Sequence, residues 1–177
     1  EIGSGPGSSP FLPRAVFLYA GLVPDLVLRL KYGRDFALAR PMGRLMAAVA
    51  QAAATGPCDE IVPVPSLPAR HRARGYNPAG LLADAVGDAL QCPVGHRALV
   101  RVGSGGSQGR LAPAARRQRV AHAFAAGRRP PMGRRVLLVD DVWTTGATLD
   151  ACSQALRALG VQVIAAVTFA RSPPRER

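Results

Sequence analysis

The chain has 177 residues, enough for one domain with a substantial core. Hydrophobic residues make up 48% and charged ones 19%, which excludes a disordered chain, and aromatics at 5% leave the core to Leu, Val and Ala. The balance of 23 basic against 11 acidic residues gives a net charge of +12, which favours a polyanionic partner.

Cys58, Cys92 and Cys152 are far apart and show no CxxC spacing. A disulfide framework and a zinc site are therefore not expected, and the thiols should be buried or reduced. The apolar run Ala15 to Pro24 is too short to cross a bilayer. A cytoplasmic protein with no targeting segment and no membrane insertion is expected.

Residues 1–10 form a pattern-free Gly/Ser/Pro tail, unstructured or extraneous to the domain. A single domain is expected over 11–172, followed by a short Pro/Arg tail at 173–177. Leu26 to Tyr32 is predicted as the end of a helix closed by Gly33. Lys31 stands there as the sole lysine of the chain, which reads most simply as a solvated helix-end cation. Phe36 to Ala53 is predicted as a second helix with Leu45, Met46 and Val49 on one side.

Ile61 to Pro65 is the next expected strand, its prolines suiting an end or an edge. Arg70, Arg72 and Arg74 follow at alternate positions, then Gly75-Tyr76-Asn77. They read either as a solvated charge run or as an anion-binding loop at the carboxyl end of a strand. Guanidinium forks match phosphate oxygens in pairs. Leu81 to Leu90 is predicted helical, and Leu99 to Val102 closes another strand. The glycine-rich stretch 103–109 precedes a basic helix expected over Leu111 to Phe124, with Arg116, Arg117 and Arg119. That pairing suits either a lid over a charged ligand or a plain surface connection. Val161 to Phe169 is the last expected strand.

Between these lies Arg134 to Leu149, RRVLLVDDVWTTGATL. Val136 to Val139 reads as a strand buried on both faces of a parallel sheet. Asp140 and Asp141 follow where it would leave the core. Thr144-Thr145-Gly146-Ala147-Thr148 then opens a helix with apolar Leu149, Cys152, Leu156 and Leu159, stopped by Gly160. Unsatisfied N–H groups in a turn at a helix N-terminus form an anion cradle. Gly146 permits close approach of a phosphate, and the threonines add hydroxyl donors. Carboxylates just before that cradle suit vicinal ribose hydroxyls, or Mg²⁺ through water. The order of the parts points to a phosphorylated sugar.

VLLVDDVWTTGAT resembles the 5-phosphoribosyl-1-pyrophosphate (PRPP) signature of type I phosphoribosyltransferases. The resemblance implies Asp140 and Asp141 on the ribose hydroxyls, and Thr144, Thr145, Gly146, Ala147 and Thr148 around the 5′-phosphate. Trp143 falls at a variable position and receives no role. RLKYG, IVPVPSLPARHRARGYN and QGRLAPAARRQRVAHAF extend the likeness over roughly 19–169. Together they resemble the ComF family, a bacterial phosphoribosyltransferase-like group linked to natural competence. Its pattern falls on Gln108, Leu111, Arg116, Val120, Ala123 and Phe124, with Arg119 in place of its asparagine. Its R-G-F-N-Q becomes Arg74 to Pro78, losing the glutamine. Most members carry a cysteine-rich zinc ribbon ahead of the Lys-Tyr-Gly stretch, and this sequence shows none there.

The expected fold is α/β and type I phosphoribosyltransferase-like. It should have a mostly parallel twisted sheet of about five strands, flanked by helices, under a small hood of N-terminal helices and part of 101–124. PRPP or ribose-5-phosphate is the implied ligand, with Mg²⁺ as cofactor facing Asp140 and Asp141 indirectly. Arg70, Arg72 and Arg74 are the candidates for pyrophosphate, and Gln108 and Arg116 for a closing loop. No residue stands out as a general base. Three functions compete: a competence protein handling single-stranded DNA with a helicase partner, a transferase acting on a nucleobase or other acceptor, and a non-catalytic PRPP or nucleotide sensor. The oligomeric state is left open.

Overall fold

The computed structural model describes residues 13–102 and 123–173. Gln108, Leu111, Arg116, Arg117, Arg119 and Val120 lie outside the described residues. In chain order the elements are β1 (Arg14–Leu18), α1 (Val23–Tyr32), a 3₁₀ turn (Phe36–Leu38), α2 (Ala39–Ala53) and β2 (Glu60–Pro63). Then come α3 (Pro68–Arg74), α4 (Pro78–Leu90), β3 (Leu99–Arg101) and β4 (Phe124–Ala126). β5 (Arg135–Trp143), α5 (Ala147–Arg157) and β6 (Gln162–Arg171) complete the described chain.

β1, β6, β5 and β2 form a four-stranded, all-parallel sheet in that spatial order. β6 is central and buried at every position between its end residues, so its continuous apolar sequence fits two covered faces. On β5, Leu137 and Val139 join the core on the face covered by α2 and α4. Val136 and Leu138 face the other way, towards α5. That is the period-2 alternation of a strand applied to two apolar faces. Gly43 lies where α2 meets α4, and a Cβ there would fall 2.4 Å from that of Ala85. Only glycine lets these helices pack so closely.

Several expectations shift in detail. Leu99–Arg101 is a strand but stays out of the main sheet, pairing antiparallel with β4. β1 overlaps the start of the apolar run that is short for a membrane, and pairs with the last strand. On α2 the buried stripe is Met42, Met46 and Ala50, whereas Leu45 is exposed. The arginine run forms α3 and not a loop, because Pro68 opens a helix and Gly75, at φ 86°, closes it. The N-terminal helices do not both form a hood: α1 borders the carboxyl edge, while α2 belongs to the core. No described helix is long and apolar enough to cross a membrane.

Candidate functional site

Because all four strands of the sheet are parallel, their carboxyl ends open on one edge. A cavity of about 390 Å³ lies there, and a residue just past each strand lines it: Tyr19 after β1, Val64 after β2, Thr144 after β5 and Ser172 after β6. This is where open α/β sheets hold their ligands.

β5 runs four residues beyond its apolar core, so Asp140 and Asp141 are part of the strand and reach into the cavity. Asp141 is buried and accepts an ion pair from Lys31 Nζ at 2.7 Å. Asp140 accepts a hydrogen bond from the Asp141 amide at 2.8 Å. Burial and then the Asp141 charge push the Asp140 carboxyl up to about 8, against the opposing pull of Lys31 and Arg101. Thr144 and Thr145 are exposed in the turn, and Gly146 caps α5 at φ 81°. Ala147 and Thr148 belong to the first turn of α5, and Thr148 with Thr144 lines the cavity. The Asp150 amide makes the helix's opening bond to the Gly146 carbonyl at 2.9 Å. A Cβ on Gly146 would fall 3.2 Å from Trp143 Nε1, whose buried N–H has no partner among the described residues.

α3 sorts the three arginines. Arg70 and Arg74 are one helical turn apart and both line the cavity, while Arg72 is exposed and off its lining. Arg74 lies 4.6 Å above the Tyr32 ring. A smaller cavity of about 180 Å³ adjoins this corner, lined by Lys31, Tyr32, Arg34, Arg70, Arg74 and Tyr76 with no carboxylate. Tyr76 and Asn77 act as braces. Tyr76 donates its hydroxyl to the Leu30 and Lys31 carbonyls at 2.7 and 3.0 Å, latching α1 to the start of α4. Asn77 Nδ2 donates to the Val64 carbonyl at 2.9 Å, and its Oδ1 accepts from Ser66 at 2.7 Å, fixing the segment after β2.

Two cationic residues of the site were not legible as such. Lys31 reads as a solvated helix end, yet its side chain is only 22% exposed. Arg101 hides in a strand-like Leu-Val-Arg-Val string, yet it lines the cavity at the end of β3. Its guanidinium lies 5.1 Å over the Phe124 ring, and its buried Nε–H has no hydrogen-bond partner among the described residues. Burial lowers its pKa, and Arg70 adds to the effect. Only an alternative to the surface reading, tested by burial, reveals either residue.

No group of three or more His, Cys, Asp or Glu able to cage a metal occurs among the described residues. The adjacent Asp140 and Asp141 still fit Mg²⁺ of the kind held chiefly by ligand phosphates and water. A divalent cation there would relieve the mutual repulsion that raises Asp140. The cysteines lie outside this cavity. Burial pushes up the thiols of Cys58 and Cys152, and that of Cys92 to about 12. A third concavity of about 480 Å³, lined by residues such as Asp84, Asp88 and Cys92, has no cationic residue in its described lining and does not suit a phosphate.

A parallel sheet with an acidic pair, a glycine turn and a helix N-terminus at its carboxyl edge defines the type I phosphoribosyltransferase-like fold. Residues 73–177 match the phosphoribosyl transferase domain. The chain belongs to that family, in its ComF-like branch. It is 37% identical over 153 residues to competence protein F of Haemophilus influenzae, covering 83% of this chain and 67% of that protein. It is 31% identical over 150 residues to the DNA utilization protein YhgH of Escherichia coli K12, covering 82% and 66%. The chain thus spans about two thirds of the length of these relatives. Among solved structures, the allosteric regulatory enzyme of purine biosynthesis shares the fold at a TM-score of 0.50 and 20% identity, over 80% of this chain and 30% of that one.

Proposed function

We propose that the cleft binds PRPP or ribose-5-phosphate with Mg²⁺, and that the protein uses this site in handling DNA during natural transformation. The observation that carries the ligand reading is one cavity holding Asp140, Asp141, Thr144 and Thr148 at the ends of all four parallel strands. The turn Thr144, Thr145, Gly146, Ala147 and Thr148 takes the 5′-phosphate, because its free N–H groups and the helix dipole converge there. Asp140 and Asp141 accept the ribose hydroxyls. Asp140 and Asp141 would face Mg²⁺ indirectly, and the cation would neutralise pyrophosphate charge when bound. Arg70 and Arg74 stand where they can meet that pyrophosphate. Arg72, Gln108 and Arg116 have no described place at the cavity.

The DNA reading is supported by the names of the two relatives, by the charge of +12 and by exposed Arg34, Arg70 and Arg72. Single-stranded DNA and a competence helicase are the partners it implies. Free cysteines suit the cytoplasm as the compartment. The second reading is a transferase. In it the C1–O bond breaks, its electron pair leaves with pyrophosphate, and an acceptor nitrogen bonds to C1. The described cavity lining contains no histidine or cysteine, and Asp140, whose carboxyl is raised to about 8, is the lining group suited to take the acceptor's proton. Binding of PRPP without turnover would instead suit a sensing role.

Titration of the protein with PRPP and Mg²⁺, followed by pyrophosphate release across a panel of nucleobases, tests these readings. Binding without release is the expected result. Release with one base establishes the transferase, and no binding of PRPP or ribose-5-phosphate removes the ligand assignment.

A further inference from the structure

Lys31 is the only lysine of the chain, and its ammonium sits 2.7 Å from Asp141 Oδ1 with side-chain exposures of 22% and 12%. Its backbone is held, since Tyr76 donates to the Lys31 and Leu30 carbonyls. Position matters as much as pairing. Lys31 lines both the larger cavity, with the two aspartates, and the smaller one, with Arg34, Arg70 and Arg74. Arg70 and Arg74 line both cavities too, so Lys31 stands between the aspartate pair and the arginine corner that the smaller cavity extends.

An ammonium on a four-carbon stem is a mobile point charge with three donors. Asp141 has conflicting tasks. With the cleft empty it needs a counter-ion, because a buried unpaired carboxylate is costly. With ribose in place it must accept hydroxyl protons instead. We propose that Lys31 is an exchange cation: it neutralises Asp141 in the empty cleft and passes to the anion at C1 of the ligand when PRPP binds, releasing Asp141 to the ribose. The inference rests on the phosphoribosyl reading of the cleft. It adds a selectivity that the motif by itself does not provide. PRPP supplies the anion that draws Lys31 away, whereas ribose-5-phosphate has no phosphate at C1 and must compete with Lys31 for Asp141.

The test compares affinities of PRPP and ribose-5-phosphate, with Mg²⁺, for the wild type, Lys31→Met and Lys31→Arg. Losing one charge-assisted contact should cut the preference for PRPP by roughly 10- to 100-fold in Lys31→Met. Lys31→Arg, which keeps the charge, should retain most of it. Equal loss for both ligands would make Lys31 a mere support for α1 and overturn the proposal, as would an unchanged preference. A measurement on the wild type needs no variant to fold. Inorganic pyrophosphate should slow acetylation of the Lys31 amine severalfold, read by mass spectrometry of its peptide. Unchanged labelling at saturating pyrophosphate also overturns it. If the wild type binds ribose-5-phosphate, the site assignment stands whatever Lys31 does. If it binds neither ligand, both fall.

Discussion

The two walls of the cleft treat the two carboxylates differently. On the α1 wall the charge is paired: Lys31 bonds Asp141, and Tyr76 holds the Lys31 backbone in place. On the ribbon wall, formed by β3 and β4, Arg101 stacks on Phe124 but leaves its buried Nε–H without a partner among the described residues. Asp140, near it, has no ion pair among the described residues and a carboxyl raised by burial. One wall is satisfied when empty, and the other holds unspent electrostatic potential. Groups left in that condition are the ones a charged ligand completes.

The largest effect should come from the turn that joins both walls. Gly146 has φ 81°, and a side chain there would also press on Trp143. Gly146→Val should reduce ribose-5-phosphate affinity by roughly 100-fold or more, with about 1–3 kcal/mol of lost stability from the strained backbone. Calorimetric titration and thermal unfolding read the two effects separately. Undiminished ligand binding removes the turn from the site.

Arg101→Ala should come next, because it empties the ribbon wall. A guanidinium that meets a ligand anion is worth about 1.5–3 kcal/mol, or roughly 10- to 100-fold in PRPP affinity. Fold stability should fall less, since its Nε–H finds no partner among the described residues of the empty protein. A variant that binds PRPP as the wild type does would mean that Arg101 only packs on Phe124.

The raised Asp140 carboxyl gives the empty protein a pH dependence of known sign. The folded form keeps its proton to higher pH than the unfolded chain, so Asp140's contribution is fully present below the ordinary carboxylate range near pH 4. It is lost as pH rises towards about 8. Asp140→Asn should therefore flatten the fall in melting temperature between pH 5 and 8 and stabilise the protein at pH 8. The gain should be on the order of 1 kcal/mol, discounted for the carboxylate's contact with the cleft, or roughly 2–4 °C. Identical slopes in variant and wild type would place the Asp140 charge in solvent.

The motif half of this site was legible because it is local. Val136 to Leu149 encodes strand, acid pair, turn and helix within fourteen consecutive positions, and each part has its own chemical signal. The walls were not, because they depend on distance in the chain. Lys31 and Asp141 are far apart in sequence, and nothing in RLKYG says which way the ammonium turns. Arg101 needs burial to be noticed. β1 is five residues whose apolar character serves equally for a strand or a turn, and only its partner β6 decides. The arginine run reads as a solvated charge run or a loop, but Pro68 and Gly75 punctuate a helix. Leu45 shows the same limit on α2, where the apolar face wins over a stray exposed leucine.

That helix supplies the smallest and most discriminating effect. Arg70, Arg72 and Arg74 share one short element, yet only the outer two line the cavity. If the excess positive charge serves a nucleic-acid backbone, Arg72 belongs to that surface and not to the sugar-phosphate site. Arg72→Ala should then leave PRPP affinity within about twofold, the range of an exposed charge at a distance screened by salt. It should weaken single-stranded DNA slightly and flatten the log–log salt dependence by about 0.7, the loss of one phosphate contact on a single strand. Base composition should not matter, since phosphate contacts carry no sequence information. Arg74→Ala should do the reverse, lowering PRPP affinity more than it changes the slope. A slope indifferent to Arg72, measured by fluorescence anisotropy between low and moderate salt, would take the outer face of α3 out of any DNA path.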